Sequence, residues 1–179
     1  MIKEKLLALV KKESFIKKRV LLSSGKISNY YVDIRKVSLK SEGAFLIAGL
    51  FWEKIKREKF DAVGGPTLGA DPILSALSYH AYLKKKPINT FIVRKEKKGH
   101  GRKKIIEGPD LSRNSRVIIL DDVATSGKSL IEAIIKLKSI GIKVIKSLAV
   151  LDRKEGAEEN LSKYNCPLIS LLTTEDLIK

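Results

Sequence analysis

The chain is short of cysteine, of aromatic residues and of long apolar runs, and each shortage excludes a class of protein. One of its 179 residues is cysteine, and aromatic residues make up 6%. A lone cysteine, Cys166, cannot form a disulfide within the chain, which excludes a disulfide-stapled scaffold and favours a reducing compartment. The longest apolar run, at 44–52, is far below the ~20 residues that a membrane-spanning helix needs. We therefore expect a cytoplasmic protein with no membrane partner.

Acidic residues are also few beside basic ones. The sequence has 36 lysines and arginines against 20 aspartates and glutamates, which gives a formal charge of +16. Such a charge can indicate nucleic-acid binding. Most of the lysines, however, alternate with acids or fall on the polar faces of predicted helices, which is typical of a solvated surface. The exception is the cluster RKEKKGHGRKK at 94–104, whose density is compatible with binding a polyanion such as a diphosphate, although a solvated charge run is the commoner fate of such a cluster.

The organisation of the chain indicates one domain. A length of 179 residues is enough for a hydrophobic core, and no repeat, linker or shift in composition divides it. The first residues, MIKEKLLALVKKESF, predict an amphipathic helix rather than a secretory signal. We expect a single domain over 1–179, in which a small N-terminal hood of approximately 1–39 covers a core of approximately 40–179.

Predicted strands alternate with predicted helices along the core. Short apolar runs predict strands at 62–65, 89–93, 117–120, 144–151 and 168–172. Helical spacing of apolar residues predicts helices at 41–59, 70–84, 127–140 and 157–164. The alternation predicts an α/β fold with a largely parallel central sheet flanked by helices. In such a sheet, the loops that follow the strands meet at one edge and bind ligands there.

Two segments do not follow the alternation. The segment 95–108 has three glycines and no apolar periodicity, which predicts a long loop. In the hood, the sequence predicts a hairpin in which 19–22 pairs with 29–33 around a turn at 23–26.

The most informative segment is VIILDDVATSGKSL at 117–130. Its apolar run ends at Asp121 and Asp122, and a loop of small and hydroxyl residues then leads into a helix. Backbone N–H groups at such a loop and helix start favour an anion. The two acids can hold ribose hydroxyls, a hydrated magnesium ion or both. The segment therefore predicts a sugar-phosphate site, with a phosphate cradle formed by Ala124, Thr125, Ser126, Gly127, Lys128 and Ser129.

Two other nucleotide-binding motifs do not fit this segment. A P-loop needs glycine five positions before Gly127, where the chain has Asp122. The dinucleotide fingerprint G-x-G-x-x-G is also missing. An ordinary strand, turn and helix with solvated acids is the simplest alternative, but the full combination of features is much rarer.

The same segment resembles the phosphoribosyl diphosphate (PRPP) motif of the type I phosphoribosyltransferases. Four other segments resemble the orotate branch of that family: SGKISNYYVD at 24–33, GGPTLGADP at 64–72, RKEKKGHG at 94–101 and LDRKEGA at 151–157. The resemblance runs across almost the whole chain, and together with the PRPP motif, in this order, the segments are highly specific. The resemblance implies transfer of the 5-phosphoribosyl group from PRPP to N1 of orotate, which gives orotidine 5′-monophosphate and diphosphate in pyrimidine biosynthesis.

The resemblance also implies roles for individual residues. Orotate would be bound by Lys26, Thr125 and Arg153, with Tyr30 and Tyr31 as candidate walls of the base site. The catalytic residues would be Lys98, His100, Asp121 and Asp122. PRPP would be bound by Arg94, Lys95, Lys98, His100, Asp121, Asp122, Ala124, Thr125, Ser126, Gly127, Lys128 and Ser129.

A cofactor and a partner are implied in the same way. Mg²⁺ would bind through PRPP, with no protein ligand assigned to it. The protein would be a homodimer in which the loop at 94–104 reaches the active site of the neighbouring subunit. The turn at 67–70 has no lysine where some members of the family have one, so its contacts with diphosphate stay open.

Two other functions remain open from the sequence. A purine or xanthine phosphoribosyltransferase would share the segment 121–129, but the segments 24–33 and 94–101 argue against it. A non-catalytic, PRPP-sensing regulator that binds nucleic acid would account for the positive charge. No helix-turn-helix pattern precedes Ser14, so we expect no nucleic-acid partner.

Overall fold

The computed structural model describes residues 2–21, 27–94 and 104–179. Its strands in those ranges are β1 (Phe15–Ile16), β2 (Val20–Leu21), β3 (Ile27–Ser28), β4 (Tyr31–Val32), β5 (Ala62–Pro66), β6 (Asn89–Val93), β7 (Ile106–Glu107), β8 (Arg116–Ala124), β9 (Lys143–Asp152) and β10 (Leu168–Thr173). Its helices are α1 (Ile2–Glu13), α2 (Arg35–Ser38), α3 (Ser41–Ile55), α4 (Asp71–Leu83), α5 (Lys128–Ser139), α6 (Ala157–Ser162) and α7 (Thr174–Ile178). Among the described residues, none of these helices combines the length and apolar character needed to cross a membrane.

A six-stranded sheet forms the centre of the fold, with the order β10-β9-β8-β5-β6-β7. Every neighbouring pair is parallel except β6 with β7, which is antiparallel. The predicted α/β fold with a largely parallel sheet is therefore confirmed.

Helices cover both faces of the sheet because its central strands are apolar on both sides. In β8, Ile118 and Leu120 pack into one core with α1, α3 and α4, while Val117 and Ile119 pack into a second core with α5 and α6. Alternate residues of a strand point to opposite faces, so a continuous apolar run is what a strand buried on both faces requires. Because the middle of the sheet is buried on both faces, ligand-binding residues can lie only at the ends of its strands.

The structure differs from the predicted elements in two places: β8 is longer than predicted, and a short strand lies within the predicted loop at 95–108. β8 does not stop at 120 but continues through Asp121 and Asp122, because its pairing with β9 runs on to the partners Ala124 and Asp152. The predicted loop at 95–108 includes β7 in its described part, where Ile106–Glu107 pairs with the end of β6. Because β8 extends to Ala124, Asp121 and Asp122 lie on the strand rather than in the loop after it, which limits their backbone freedom.

The predicted hairpin partners in the hood are wrong. β2 pairs with β3, and β4 pairs instead with β1, so that Phe15 lies opposite Val32. Both pairings are antiparallel and only two residues long. The double pairing places the segment 31–35 beside the carboxyl ends of β8 and β9, where Tyr31, Val32, Asp33 and Arg35 line the main cavity described below.

Candidate active site

A cavity of ≈ 500 Å³ lies at the carboxyl ends of β8 and β9. Its lining comes from the hood, from the end of β8 with the start of α5, and from the end of β9. The lining residues are 31–33, Arg35, 121–130 and Arg153. This is the edge of a parallel sheet at which ligands bind.

The phosphate cradle is the turn from β8 into α5. Gly127 has φ of +77°, a left-handed conformation that glycine adopts without steric cost. The first helical hydrogen bond runs from the Ile131 N–H to the Gly127 carbonyl oxygen (2.9 Å), and the amides ahead of it at the helix start have no partner within the helix. Asn160 Nδ2 donates to the Ser126 carbonyl oxygen (3.0 Å) and fixes the loop from α6. The turn can therefore present several N–H groups to one anion.

Asp121 and Asp122 form an acidic ledge beside this cradle. Asp121 is 7% exposed, and its Oδ1 accepts the Asp122 N–H (2.9 Å). Asp122 Oδ1 accepts the Val123 N–H (2.8 Å). On the other side of Asp122 lies Gly69, where any Cβ would overlap the Asp122 carboxylate. The turn after β5 therefore approaches Asp122 as closely as glycine allows.

Arg153 is a buried cation at the end of β9. It is 6% exposed, and its Nε donates to Glu155 Oε1 (2.8 Å). Its guanidinium carbon lies 4.6 Å from the centre of the Tyr30 ring, a cation–π contact. The Tyr30 ring also lies 5.7 Å from the ring of Phe15. Tyr31 lines the cavity, whereas Tyr30 is not among the lining residues and contacts Arg153 instead.

A hydroxyl pair extends this contact to the backbone of Arg153. Thr174 Oγ1 donates to the Arg153 carbonyl oxygen (3.1 Å) and lies 3.0 Å from the Tyr30 hydroxyl. Because the threonine hydroxyl has one proton and gives it to the carbonyl, the Tyr30 hydroxyl is the donor in the second bond. Tyr30 and Thr174 together fix both the side chain and the backbone of Arg153.

The structure brings most of the predicted site residues to one cavity. Asp121, Asp122 and Arg153 line it with the six cradle residues 124–129. Arg94 lies apart at the end of β6, where it pairs with Glu107, and its carbonyl oxygen accepts Lys136 Nζ (2.8 Å). It borders a smaller neighbouring cavity that also includes Ser129. Four predicted residues lie outside the described residues: Lys26, Lys95, Lys98 and His100.

Sequence reasoning missed three residues near the cavity. Arg35 and Asp33 line it as an ion pair, with Arg35 Nε 2.8 Å from Asp33 Oδ1. Thr174 lies behind Arg153 through the hydroxyl pair. The only sequence signal for the first two is an acid and a base two residues apart at the end of a resembling motif, and Thr174 has none.

Part of the chain matches a known protein family. Residues 38–174 match the family described as "Phosphoribosyl transferase domain". A parallel sheet with a phosphate cradle and two acids at its strand ends is consistent with that match. The chain is therefore a phosphoribosyltransferase.

Relatives narrow this class. The "Orotate phosphoribosyltransferase" of Aquifex aeolicus (strain VF5) is 43% identical, and the match covers 98% of this chain and 97% of the relative's length. The orotate phosphoribosyltransferase of Mycobacterium tuberculosis H37Rv, in complex with Fe(III) dicitrate, has a TM-score of 0.86 at 34% identity and covers 99% of each chain. Its complex with PRPP gives 0.82 at 32% identity over 100% of each chain. This chain therefore belongs to the orotate phosphoribosyltransferase family, and the resemblance predicted from the sequence is confirmed. The two alternatives, a purine or xanthine phosphoribosyltransferase and a nucleic-acid-binding regulator, are not favoured.

Proposed function

We propose that the cavity is the active site at which this enzyme transfers the 5-phosphoribosyl group from PRPP to N1 of orotate. One observation supports this most: a phosphate cradle, two adjacent carboxylates and a buried arginine line the same cavity. The three features match the phosphate, the ribose and the anionic base. The M. tuberculosis relative is described in complex with PRPP, which supports PRPP as the donor.

The phosphate end of PRPP fits the cradle. The amides and hydroxyls of 125–129 would bind the 5′-phosphate, because N–H groups at a helix start favour an anion. Asp121 and Asp122 would accept hydrogen bonds from the ribose hydroxyls. Lys128 is exposed at the first position of α5 and lines the cavity, so its ammonium adds positive charge beside the cradle.

Orotate fits the side of the cavity that Arg153 occupies. A planar carboxylate is recognised well by a guanidinium held in a fixed orientation, and Tyr30 and Glu155 fix that orientation here. Thr125 lies in the turn that follows β8, and the backbone N–H of Arg153 donates to the Ala124 carbonyl oxygen (2.8 Å). We propose that Thr125 and Lys26 complete the base site with Arg153, as the resemblance implies.

The reaction needs positioning and electrostatic stabilisation rather than a covalent nucleophile. The ribose becomes oxocarbenium-like while the leaving diphosphate gains negative charge, so acids near the sugar and cations near the diphosphate lower the barrier. Asp122 would stabilise the positive charge on the ribose. Arg94, Lys95, Lys98 and His100 would contact the diphosphate.

The donor set also fits Mg²⁺ as a cofactor that binds with PRPP. Mg²⁺ usually keeps several waters and takes one or two carboxylates together with substrate phosphates, and Asp121 and Asp122 are two adjacent carboxylates on the cavity wall. When bound, Mg²⁺ would neutralise part of the diphosphate charge.

We propose that the protein is a cytoplasmic homodimer made of one domain per subunit. Its only cysteine, Cys166, is a buried free thiol, which supports a reducing compartment. Exposed apolar side chains on two packed helices support a dimer: Phe45 on α3 is 67% exposed, and Tyr79 and Leu83, one turn apart on α4, are 67% and 59% exposed. The Phe45 ring lies 6.4 Å from the ring of His80, which is the neighbour of Tyr79 along α4, and exposed apolar side chains that lie close together mark an interaction surface.

The shared loop can be tested by mixing two inactive variants. We expect Lys98→Ala and Asp122→Asn each to abolish most turnover. If the loop at 94–104 serves the neighbour's site, a hybrid dimer has one site with both residues intact. Random exchange makes about half of the dimers hybrid, so the mixture should recover roughly a quarter of wild-type activity. No recovery after exchange of subunits, verified by mass, would show that each site uses its own loop.

The function itself is tested by an assay of base specificity. Purified protein with PRPP and Mg²⁺ should consume orotate, which is followed by its absorbance, and should leave hypoxanthine, guanine, adenine and xanthine unchanged. A protein that consumes a purine and not orotate would contradict the proposal.

Removal of the Thr174 hydroxyl should weaken orotate binding, although the proposed contacts of Thr174 are with Arg153 and Tyr30 rather than with orotate. Thr174→Val keeps the shape of the side chain but loses both hydrogen bonds, and one such bond contributes about 1 kcal/mol. The bond to Tyr30 is the one that orients the Arg153 side chain, so we expect KM for orotate to rise about fivefold, the equivalent of that single bond, since 1.4 kcal/mol corresponds to tenfold, while KM for PRPP changes little. Thr174→Ser should restore the wild-type value. An equal rise of both KM values, or no rescue by serine, would indicate a general structural effect.

A further inference from the structure

The proposed function leaves one cation of the cavity without a role. Three basic side chains of the described residues line the cavity: Arg35, Lys128 and Arg153. Lys128 lies at the phosphate cradle, and Arg153 is fixed against Tyr30 on the base side. Arg35 comes from the hood and faces the same cavity at the first position of α2.

Arg35 is held in a fixed orientation by Asp33. Its Nε lies 2.8 Å from Asp33 Oδ1, its Nη2 lies 3.1 Å from Oδ2, and its backbone N–H donates to Oδ1 (3.1 Å). Hydrogen bonding to Arg35 lowers the pKa of Asp33, and Asp33 in turn raises the pKa of Arg35. The side chain is still 43% exposed. One edge of the guanidinium is therefore anchored, and the accessible part of the side chain can meet a ligand.

The surroundings of Arg35 are acidic. Asp122 is close enough to raise the pKa of Arg35 by its charge, and Gly69 packs against the carboxylate of the same Asp122. Arg35 and Asp122 thus line one cavity, and the turn at 67–70 packs against Asp122. That turn carries no basic side chain, so it offers no side-chain charge to balance an anion placed there.

The shape of PRPP makes this the diphosphate side. With the 5′-phosphate in the cradle and the ribose hydroxyls on Asp121 and Asp122, the C1 diphosphate extends away from the cradle. A diphosphate beside two carboxylates is repelled unless cations lie near it, and the proposed Mg²⁺ would neutralise only part of its charge. Of the two described guanidinium groups that line the cavity, Arg153 lies on the base side and Arg35 is left for the diphosphate. A guanidinium binds phosphate oxygens in pairs.

We propose that Arg35 binds the diphosphate of PRPP, and that Asp33 is the positioning residue that aims it. This inference rests on the proposed function. Because the leaving diphosphate gains charge in the transition state, the contact should strengthen as the C1–O bond breaks.

The test is equilibrium binding, which needs no turnover. Calorimetry in Mg²⁺ buffer compares wild type with Arg35→Gln and with Lys36→Gln, a matched control that removes the same charge from the next residue, which is exposed. For Arg35→Gln we expect about tenfold weaker binding of inorganic diphosphate and of PRPP, on the scale of a charge-assisted hydrogen bond. Binding of orotidine 5′-monophosphate, which has no diphosphate, should change less than about twofold. Lys36→Gln should change none of the three.

Other results would overturn the inference in distinguishable ways. If wild type binds PRPP but Arg35→Gln binds diphosphate as well as Lys36→Gln does, Arg35 has no diphosphate role while the proposed function stands. If Arg35→Gln loses orotidine 5′-monophosphate equally, the residue acts on the whole site. If wild type binds neither PRPP nor diphosphate, the proposed function fails as well. Should Arg35→Gln not fold, Arg35→Lys keeps the charge without the planar fork, and unchanged diphosphate binding by it would overturn the paired contact.

Discussion

Replacement of Asp122 by asparagine should lower kcat about 10²–10³-fold, the size of effect seen when a preorganised electrostatic contact to a transition state is lost. The two side chains have the same shape, and the amide oxygen can still accept the Val123 N–H that Asp122 Oδ1 accepts at 2.8 Å. What the variant loses is the negative charge beside the ribose. The melting temperature should therefore stay close to that of wild type. Steady-state kinetics with saturating PRPP and orotate, with calorimetric melting of the same samples, measures both.

A matched control separates charge near the sugar from charge in general. Asp110 is an exposed acid outside the cavity, so Asp110→Asn removes one negative charge without touching the proposed site. Its kcat should equal that of wild type. If Asp122→Asn instead unfolds the protein, or keeps full turnover, the two acids are structural or merely solvated.

Replacement of Gly65 by alanine should destabilise the fold by about 3 kcal/mol, at the upper end of typical overpacking costs. A Cβ at this position would overlap the backbone carbonyl of Leu120 and the side chain of Ala70. Neither neighbour is a flexible side-chain end, so a strand has to move. For a chain of this size we expect Tm to fall by roughly 6–12 °C. Because Leu120 precedes Asp121, activity at 25 °C should fall too.

Gly49→Ala is the control for this prediction. Gly49 lies within α3, and its Cβ would meet only His80 Cε1, at an ordinary distance of 3.6 Å. Alanine favours a helix over glycine by about 0.5–1 kcal/mol, so Tm should hold or rise slightly. Equal losses in both variants would show that the close packing of β5 against β8 is not the cause.

The fold could be predicted because its main signal is local. Continuous apolar runs such as 117–120 indicate strands buried on both faces, and helices between them force parallel pairing. The end of β8 could not be predicted in the same way. Apolar content reports burial rather than backbone pairing, and β8 keeps pairing with β9 beyond its apolar run, from Asp121 to Ala124.

From residue patterns alone, the site could be predicted only where one short segment contains it, and Arg153 came from the family resemblance instead. The cradle and both acids lie within 121–129, so sequence order alone brings them together. The position of Arg35 in the cavity depends on the pairing of β4 with β1, and no local pattern in the sequence specifies which strand pairs with β4 in this two-residue ladder. Thr174 reaches Arg153 because β10 pairs with β9 in a register that sets Thr173 opposite Asp152. Such contacts follow from tertiary pairing, so the sequence does not reveal them.

A crystal structure of the protein with PRPP and Mg²⁺ would show whether the cradle, the two acids and Arg35 bind the donor. We expect the 5′-phosphate to lie against the amides of 125–129, the ribose hydroxyls on Asp121 and Asp122, and the diphosphate beside Arg35. Density for PRPP in another cavity, or in this one with its phosphate away from the cradle, would contradict this expectation.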